Sequence, residues 1–166
     1  MPQQIALVKS YVKQRSAVYR QDVAFLIDMK IPSGTNRFFV VNLANDSVML
    51  SGLVAHGAGS DIPGTDSLQF SNTPNSYMSS LGNYRVAYSY PGQFGKAYKL
   101  YGLDAGNSNA FKRLIVLHRY GCVPEQESYM SICNSLGCPM VSERFFPQLE
   151  KIIDAEKKSV LLRIYY

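Results

Sequence analysis

The sequence predicts a mostly β domain, a β-rich α+β fold with one curved sheet or two packed sheets and one or two helices. Three observations predict it. Twelve Tyr and eight Phe occur with no Trp, and aromatic side chains pack well on pleated surfaces. Short runs of period-two alternation recur along the chain. Clusters of Gly, Pro, Asn, Asp and Ser separate those runs. With 166 residues, 46% hydrophobic and 17% charged, the chain has the size and apolar content of one globular domain.

The elements follow in order. Residues 3–16 read as a helix, with Ile5, Val8, Val12 and Tyr11 on one side. In 22–29, Val23, Phe25, Ile27 and Met29 alternate with Ala24, Leu26 and Asp28, the pattern of a strand. A turn at 32–36 leads to a second strand, 37–43. A turn at Asn45-Asp46 leads to a third, 47–56, completing an antiparallel meander. Residues 57–83 are rich in Gly, Ser, Asn, Pro and Asp, and a loop of this length in a compact domain is usually functional or mobile. Strands resume at 84–90, 96–103 and 113–118. A second irregular stretch, 119–137, precedes a helix over 143–154. There Phe145, Phe146, Leu149, Ile152 and Ile153 share a face, Ser142 is an N-cap candidate, and Pro147 delays the regular helix. Residues 159–166 close the chain as a strand. This divides it into an N-terminal helical segment, 1–21, and a main domain, 22–166.

Charge excludes some functions. The net charge is +5, from 17 Lys and Arg against 12 Asp and Glu, but the basic residues are scattered. No run of them reads as a nucleic-acid arm. No apolar run approaches the ~20 residues of a membrane span, and residues 1–14 lack the apolar stretch of a secretory signal.

The three cysteines, Cys122, Cys133 and Cys138, leave at least one thiol unpaired within the chain. Cys122 and Cys133 lie in one loop. In an oxidising compartment they can close a disulfide, and two free thiols are the alternative. Cys138 sits in Asn134-Ser135-Leu136-Gly137-Cys138-Pro139. Gly137 permits a tight turn, in which backbone N–H groups can converge as an oxyanion hole. The plain alternative is a small buried structural cysteine. His118 ends the apolar strand, where a rigidly held side chain can face solvent and take a thiol proton. A structural histidine is its plain alternative. His56 also ends a strand and is open as base, orienter, substrate contact or loop anchor. Zinc is a rival, since three Cys and one His make four ligands, but no CxxC knuckle is present.

Ser135-Leu136-Gly137-Cys138-Pro139 resembles the Ser-x-Gly-Cys signature of YkuD-type L,D-transpeptidases, and still more their murein L,D-transpeptidase branch, which carries Ser-x-Gly-Cys-Pro. Ala55-His56-Gly57 with Gly59-Ser60, Phe70-Ser71-Asn72, Ser79-Ser80-Leu81-Gly82 with Tyr84, Gly102-Leu103, Asn107 with Asn109-Ala110, and Arg113-Leu114-Ile115-Val116 before His118 resemble that branch in the same order. The resemblance covers roughly 22–166. It implies a curved β-sandwich with the site in a cleft. It implies acyl transfer through a thioester on Cys138, with His118 as base and the backbone N–H groups of Leu136, Gly137 and Cys138 as oxyanion hole. His56, Ser80, Tyr84, Arg119, Asn134 and Ser135 are the substrate-binding candidates. The substrate implied is the tetrapeptide stem of peptidoglycan, the product a 3→3 cross-link, the location the periplasm or cell envelope, and the inhibitors carbapenems. A Cys–His pair needs neither metal nor cofactor, and a monomer is expected. The chain carries Arg119 where many members have Gly, Pro139-Met140 where the wider family often has Arg, and Asn134 where the branch often has Arg.

Two other functions fit the same residues. One is a hydrolase, an L,D-carboxypeptidase or cross-link-cleaving enzyme, which differs only in using water as acceptor. The other is a non-catalytic wall-binding module, which retention of both Cys138 and His118 disfavours. A papain-like protease would carry its cysteine before its histidine, the reverse of the order here.

Overall fold

A computed structural model describes residues 1–166. Nine strands form one sheet: β1 (Tyr19–Asp28), β2 (Phe38–Asn42), β3 (Ser47–Gly52), β4 (Val54–Ala55), β5 (Gly82–Gly92), β6 (Gly95–Gly102), β7 (Val116–Arg119), β8 (Met140–Val141) and β9 (Ser159–Tyr165). Two α-helices, α1 (Pro2–Lys13) and α2 (Phe145–Asp154), pack against it. The strand order is β3-β2-β1-β9-β5-β6-β7-β8-β4. Only β1–β9 and β7–β8 pair in parallel.

The expected third strand is two strands. β3 ends at Gly52 and β4 begins at Val54, yet they lie on opposite edges of the strand order. Only Leu53 separates them, so the two edges must come together and the sheet curls around its core. The core shows the same closure. Val54 of β4, Phe38 of β2, Tyr84 of β5 and Leu117 of β7 all belong to one buried cluster. Helix α2 fills that space with Phe145, Phe146, Leu149 and Ile153, and the Phe145 ring lies 5.4 Å from Phe38. The helix starts two residues later than expected, with Arg144 rather than Ser142 as N-cap and no side-chain cap. Ser142 Oγ instead accepts from Phe145 N–H at 3.2 Å just before the helix, and Pro147 falls in the first turn, where its missing N–H costs no bond.

β1 is buried on both faces. Val23, Phe25 and Ile27 enter the main core, while Ala24 and Leu26 meet Ile5, Val8 and Val12 of α1. The α1 stripe therefore buries against the outer face of the sheet, which explains the near-continuous apolar run in a strand paired in parallel with β9.

The expected strand 113–118 begins only at Val116. Arg113 N–H donates to Asn109, Leu114 N–H to Phe111 and Ile115 N–H to Ala110 carbonyl oxygens, and Leu114 has φ +60°. This is a helix-type C-terminal closure with a leucine in the left-handed position that glycine usually takes. It turns the chain sharply into β7.

Candidate active site

Parallel pairing of β7 with β8 builds the site. His118 stands opposite Met140, so Cys138, two residues earlier, lies alongside Val116. Residues two apart share a strand face. Val116, His118, Cys138 and Met140 accordingly line one cavity of about 350 Å³. Tyr90, Phe94, Ala97, Tyr120 and Leu136 make the rest of its wall largely apolar, and Gln93, Asn134 and Ser135 supply polar groups.

The turn that presents the thiol is braced by Ser135. Its hydroxyl accepts from Gly137 N–H at 3.1 Å and donates to the Cys138 carbonyl at 2.6 Å. Gly137 has φ +115°, and a Cβ there would sit 2.9 Å from the Met78 carbonyl oxygen, so both conformation and space require glycine. The Gly137 N–H, one of three expected oxyanion donors, is thus spent on Ser135. The N–H groups of Leu136 and Cys138 have no acceptor within the protein. A parallel bridge from Gly57 to Ser135, with Ser135 N–H donating to His56 and Ala58 N–H to Ser135, ties this segment to the end of β4.

The Cys138 thiol is the chain's free cysteine, since Cys122 and Cys133 are joined in a disulfide. That bond removes two ligands from the zinc reading, and no group of three or more His, Cys, Asp or Glu side chains comes together. Sγ accepts from Val116 N–H at 3.4 Å and faces the Leu114 carbonyl at 3.8 Å. Burial pushes the thiol pKa up, while Val116 N–H and the charges of Arg113 and Lys99 pull it back. The His118 imidazole is held below its usual pKa, chiefly by burial. Its Nδ1 lies 3.0 Å from the Arg119 carbonyl. A carbonyl can only accept, so Nδ1 carries the proton and Nε2 keeps a free lone pair. Phe94, at the tip of the β5–β6 hairpin, stacks on the imidazole with centroids 5.6 Å apart and planes 20° off parallel. No hydrogen bond joins Sγ to His118 within the protein.

The other predicted residues divide. Asn134, Ser135 and Leu136 line the cavity with Cys138 and His118. Ser80 and Tyr84 are buried elsewhere, their hydroxyls 2.7 Å apart. Arg119 pairs with Glu143 at 3.1 Å, outside the cavity lining. His56 is buried with both nitrogens engaged: Arg37 Nη2 donates to Nδ1 at 2.8 Å, and Nε2–H donates to Asp61 at 2.7 Å. It has no lone pair left for a proton. The loop 57–83 contributes nothing to the cavity lining.

Sequence reasoning placed Arg113 in a stretch that resembles the family but gave it no role, and missed Phe94 and Tyr90. The Arg113 guanidinium donates to the carbonyls of Ser71 and Met78 at 2.8 and 2.6 Å, and to the hydroxyls of Ser76 and Ser80. It pins the long loop behind Gly137 and sets a positive charge near Cys138. The hairpin signal flanking Phe94 was legible, but its register onto His118 depends on tertiary pairing.

No curated protein matches the sequence. Among solved structures, an L,D-transpeptidase from Mycobacterium smegmatis shares the fold, with a TM-score of 0.51 and 12% identity over 87% of this chain and 59% of that one. A structure of an L,D-transpeptidase in complex with imipenem matches at a TM-score of 0.49 and 12% identity, covering 87% of this chain and 59% of that one. The chain therefore spans about 59% of the length of these structures. Residues 3–165 match the profile of the L,D-transpeptidase catalytic domain, and the chain belongs to that family.

Proposed function

We propose that the chain is a cysteine L,D-transpeptidase that joins peptidoglycan tetrapeptide stems by 3→3 cross-links. The observation that carries this is one cavity containing the chain's free thiol and a histidine whose Nε2 is free to accept a proton. In this reading His118 Nε2 takes the Cys138 proton as Sγ attacks the carbonyl carbon of the L,D peptide bond. The oxyanion forms against the N–H groups of Leu136 and Cys138. The terminal D-residue leaves as an amine, taking the proton back from His118, and an acyl thioester remains. A neighbouring stem's amine then attacks the thioester carbon, its surplus proton passes through His118, and Sγ leaves as the thiol.

The largely apolar wall supports transfer over hydrolysis, because it limits the water competing for the thioester. By the same attack of Sγ on an acyl carbon, the strained ring of a carbapenem would acylate Cys138. Because β1 begins at Tyr19 and α1 packs on it, the catalytic unit would take in residues before 22 as well, acting as a monomer in the periplasm or cell envelope, where the Cys122–Cys133 disulfide would persist. No helix is long and apolar enough to cross a membrane.

Mass spectrometry of purified tetrapeptide-stem muropeptides tests the reading. Cross-linked dimer is expected with the native chain and none with Cys138→Ala. Tripeptide alone would mean hydrolysis, and unchanged substrate would remove the enzyme assignment.

A further inference from the structure

Four polar side chains form a line from the protein interior to the cavity: Arg37, His56, Asp61 and Asn134. The direction of each hydrogen bond is fixed by chemistry. The guanidinium of Arg37, 1% exposed, can only donate, so His56 Nδ1 accepts from it. His56 Nε2 therefore carries the proton and gives it to Asp61 Oδ1. Asp61 Oδ2 accepts from Asn134 Nδ2 at 2.5 Å. The Asn134 amide is thereby oriented. Its NH₂ group is held against the carboxylate, and its oxygen, opposite, has no partner within the protein. Asn134 lines the same cavity as Cys138 and His118.

The electrostatics agree with the geometry. No Asp, Glu, Lys or Arg lines the cavity. The charge nearest Asn134 is the Asp61 carboxylate behind it, while Arg37 lies at the far end of the line. The amide dipole thus points its negative end away from a fixed negative charge. Tyr90, Phe94 and Tyr120 present aromatic rings to the same space, and such rings favour a cation over an anion. The position suits a nitrogen that donates and carries positive charge, and it disfavours a carboxylate.

We propose that Asn134, oriented by Asp61 and His56, is the subsite for the primary amine of the acyl acceptor. The proposal rests on the thioester reading above. The amine reaches the site as an ammonium and loses one proton to solvent. Asn134 Oδ1 holds one of its remaining N–H groups while the nitrogen lone pair attacks the thioester carbon. The C–S bond breaks, and the second proton released by the new amide passes through His118 to the sulfur. Asn134 contacts substrate in this scheme, whereas Asp61 is a positioning residue.

The test separates the two half-reactions in the native chain, Asn134→Leu and Asp61→Asn. Thioester formation is followed by intact mass with a tetrapeptide-stem donor. Transfer against hydrolysis is followed while a stem tripeptide bearing a free side-chain amine is titrated. Asn134→Leu should raise the acceptor concentration at half-maximal transfer about tenfold or more, as loss of a hydrogen bond to a charged group does. Any change in the donor's half-saturation should be smaller. Asp61→Asn should shift the acceptor dependence in the same direction by less, because its amide can face Asn134 either way. An effect falling mainly on donor half-saturation would make the donor's own amide N–H the occupant and overturn the proposal. Unchanged acceptor dependence in both variants would overturn it too. A native chain that forms no thioester would instead overturn the underlying transpeptidase reading.

Discussion

Cys138 and His118 are both disposed to be uncharged at rest. Burial holds the thiol above its ordinary 9.0 and the imidazole below its ordinary 6.5. Between those values neither group changes charge. The rate of Cys138 acylation by a carbapenem should therefore be nearly flat from about pH 6.5 to 9.0. His118→Ala should cut the plateau by ~10² or more and replace it with a rate that climbs with pH as thiolate forms directly. A native profile that rises steeply through pH 7–8 would contradict the neutral pair, and stopped-flow acylation across that range reads it. Gly137→Ala tests the turn: a Cβ 2.9 Å from the Met78 oxygen, at φ +115°, should destabilise the chain by roughly 1–3 kcal/mol and cut acylation sharply. A thermal melt and acylation rate indistinguishable from the native chain's would refute this. At this scale the sequence was most legible where chemistry is local. Ser135, Gly137 and Cys138 make one turn, and His118 ends one strand. The role of Arg113 was hidden because its partners, Ser71 to Ser80, lie more than thirty residues away in a loop with no periodicity.

Strand periodicity revealed most elements, because the alternation in β1 and β2 and the apolar stripe of α2 follow directly from burial on one side or both. It failed where a break costs one residue. Residues 47–56 read as a single strand, yet the chain passes from one edge of the curled sheet to the other at Leu53. A local pattern cannot register a change of partner strand. Leu114 misled in the same way: an apolar residue in an apolar run, it is 68% exposed and left-handed. The segment between β7 and β8 carries the Cys122–Cys133 bond, a pairing the sequence left open. Those cysteines are 11 apart in sequence, and closing a loop of that size stabilises by roughly 2–3 kcal/mol in the chain-entropy model. Replacing both with Ser should lower stability by about that amount. It should also loosen Asn134, which follows Cys133 directly, so acceptor use should suffer more than thioester formation. Denaturant unfolding and the two half-reactions check the pair of expectations; equal stability with and without the bond would refute the first.

Acid sensitivity belongs to the whole molecule, because the two histidines it depends on hold the nucleophile's turn from both sides, at the end of β4 and in β7, the strands that flank β8. His56, after β4, is held below its ordinary 6.5 by burial and by Arg37, with Asp61 opposing. His118, in β7, is held down by burial. For each, the unfolded chain binds a proton more readily than the folded one. The sign follows from linkage: stability is unaffected by these groups well above pH 6.5 and falls as pH drops below it, where the unfolded state alone gains protons. The carboxylates with depressed values, Asp22 and Asp154, begin to act as the unfolded chain takes up their protons, from about pH 5 downward, and the raised tyrosines act near and above 10.0. The window from about pH 6.5 down to 5 therefore isolates the histidines. Urea unfolding at steps through that window should show a declining free energy, and His118→Gln should flatten part of the decline. The remaining slope should belong to His56. Protonating it places a charge against Arg37 while strengthening its pair with Asp61, so the ring should shift away from Arg37 and carry Asp61 and the Asn134 amide out of position. Acceptor transfer should then weaken in the same acid range in which stability falls, while thioester formation, which needs only His118 neutral, follows the His118 titration alone. His56→Gln should remove the acid loss of acceptor transfer that His118 does not explain and leave the acid profile of thioester formation in place; a transfer profile unchanged by that substitution would show that the Arg37–His56–Asp61–Asn134 line plays no part in it.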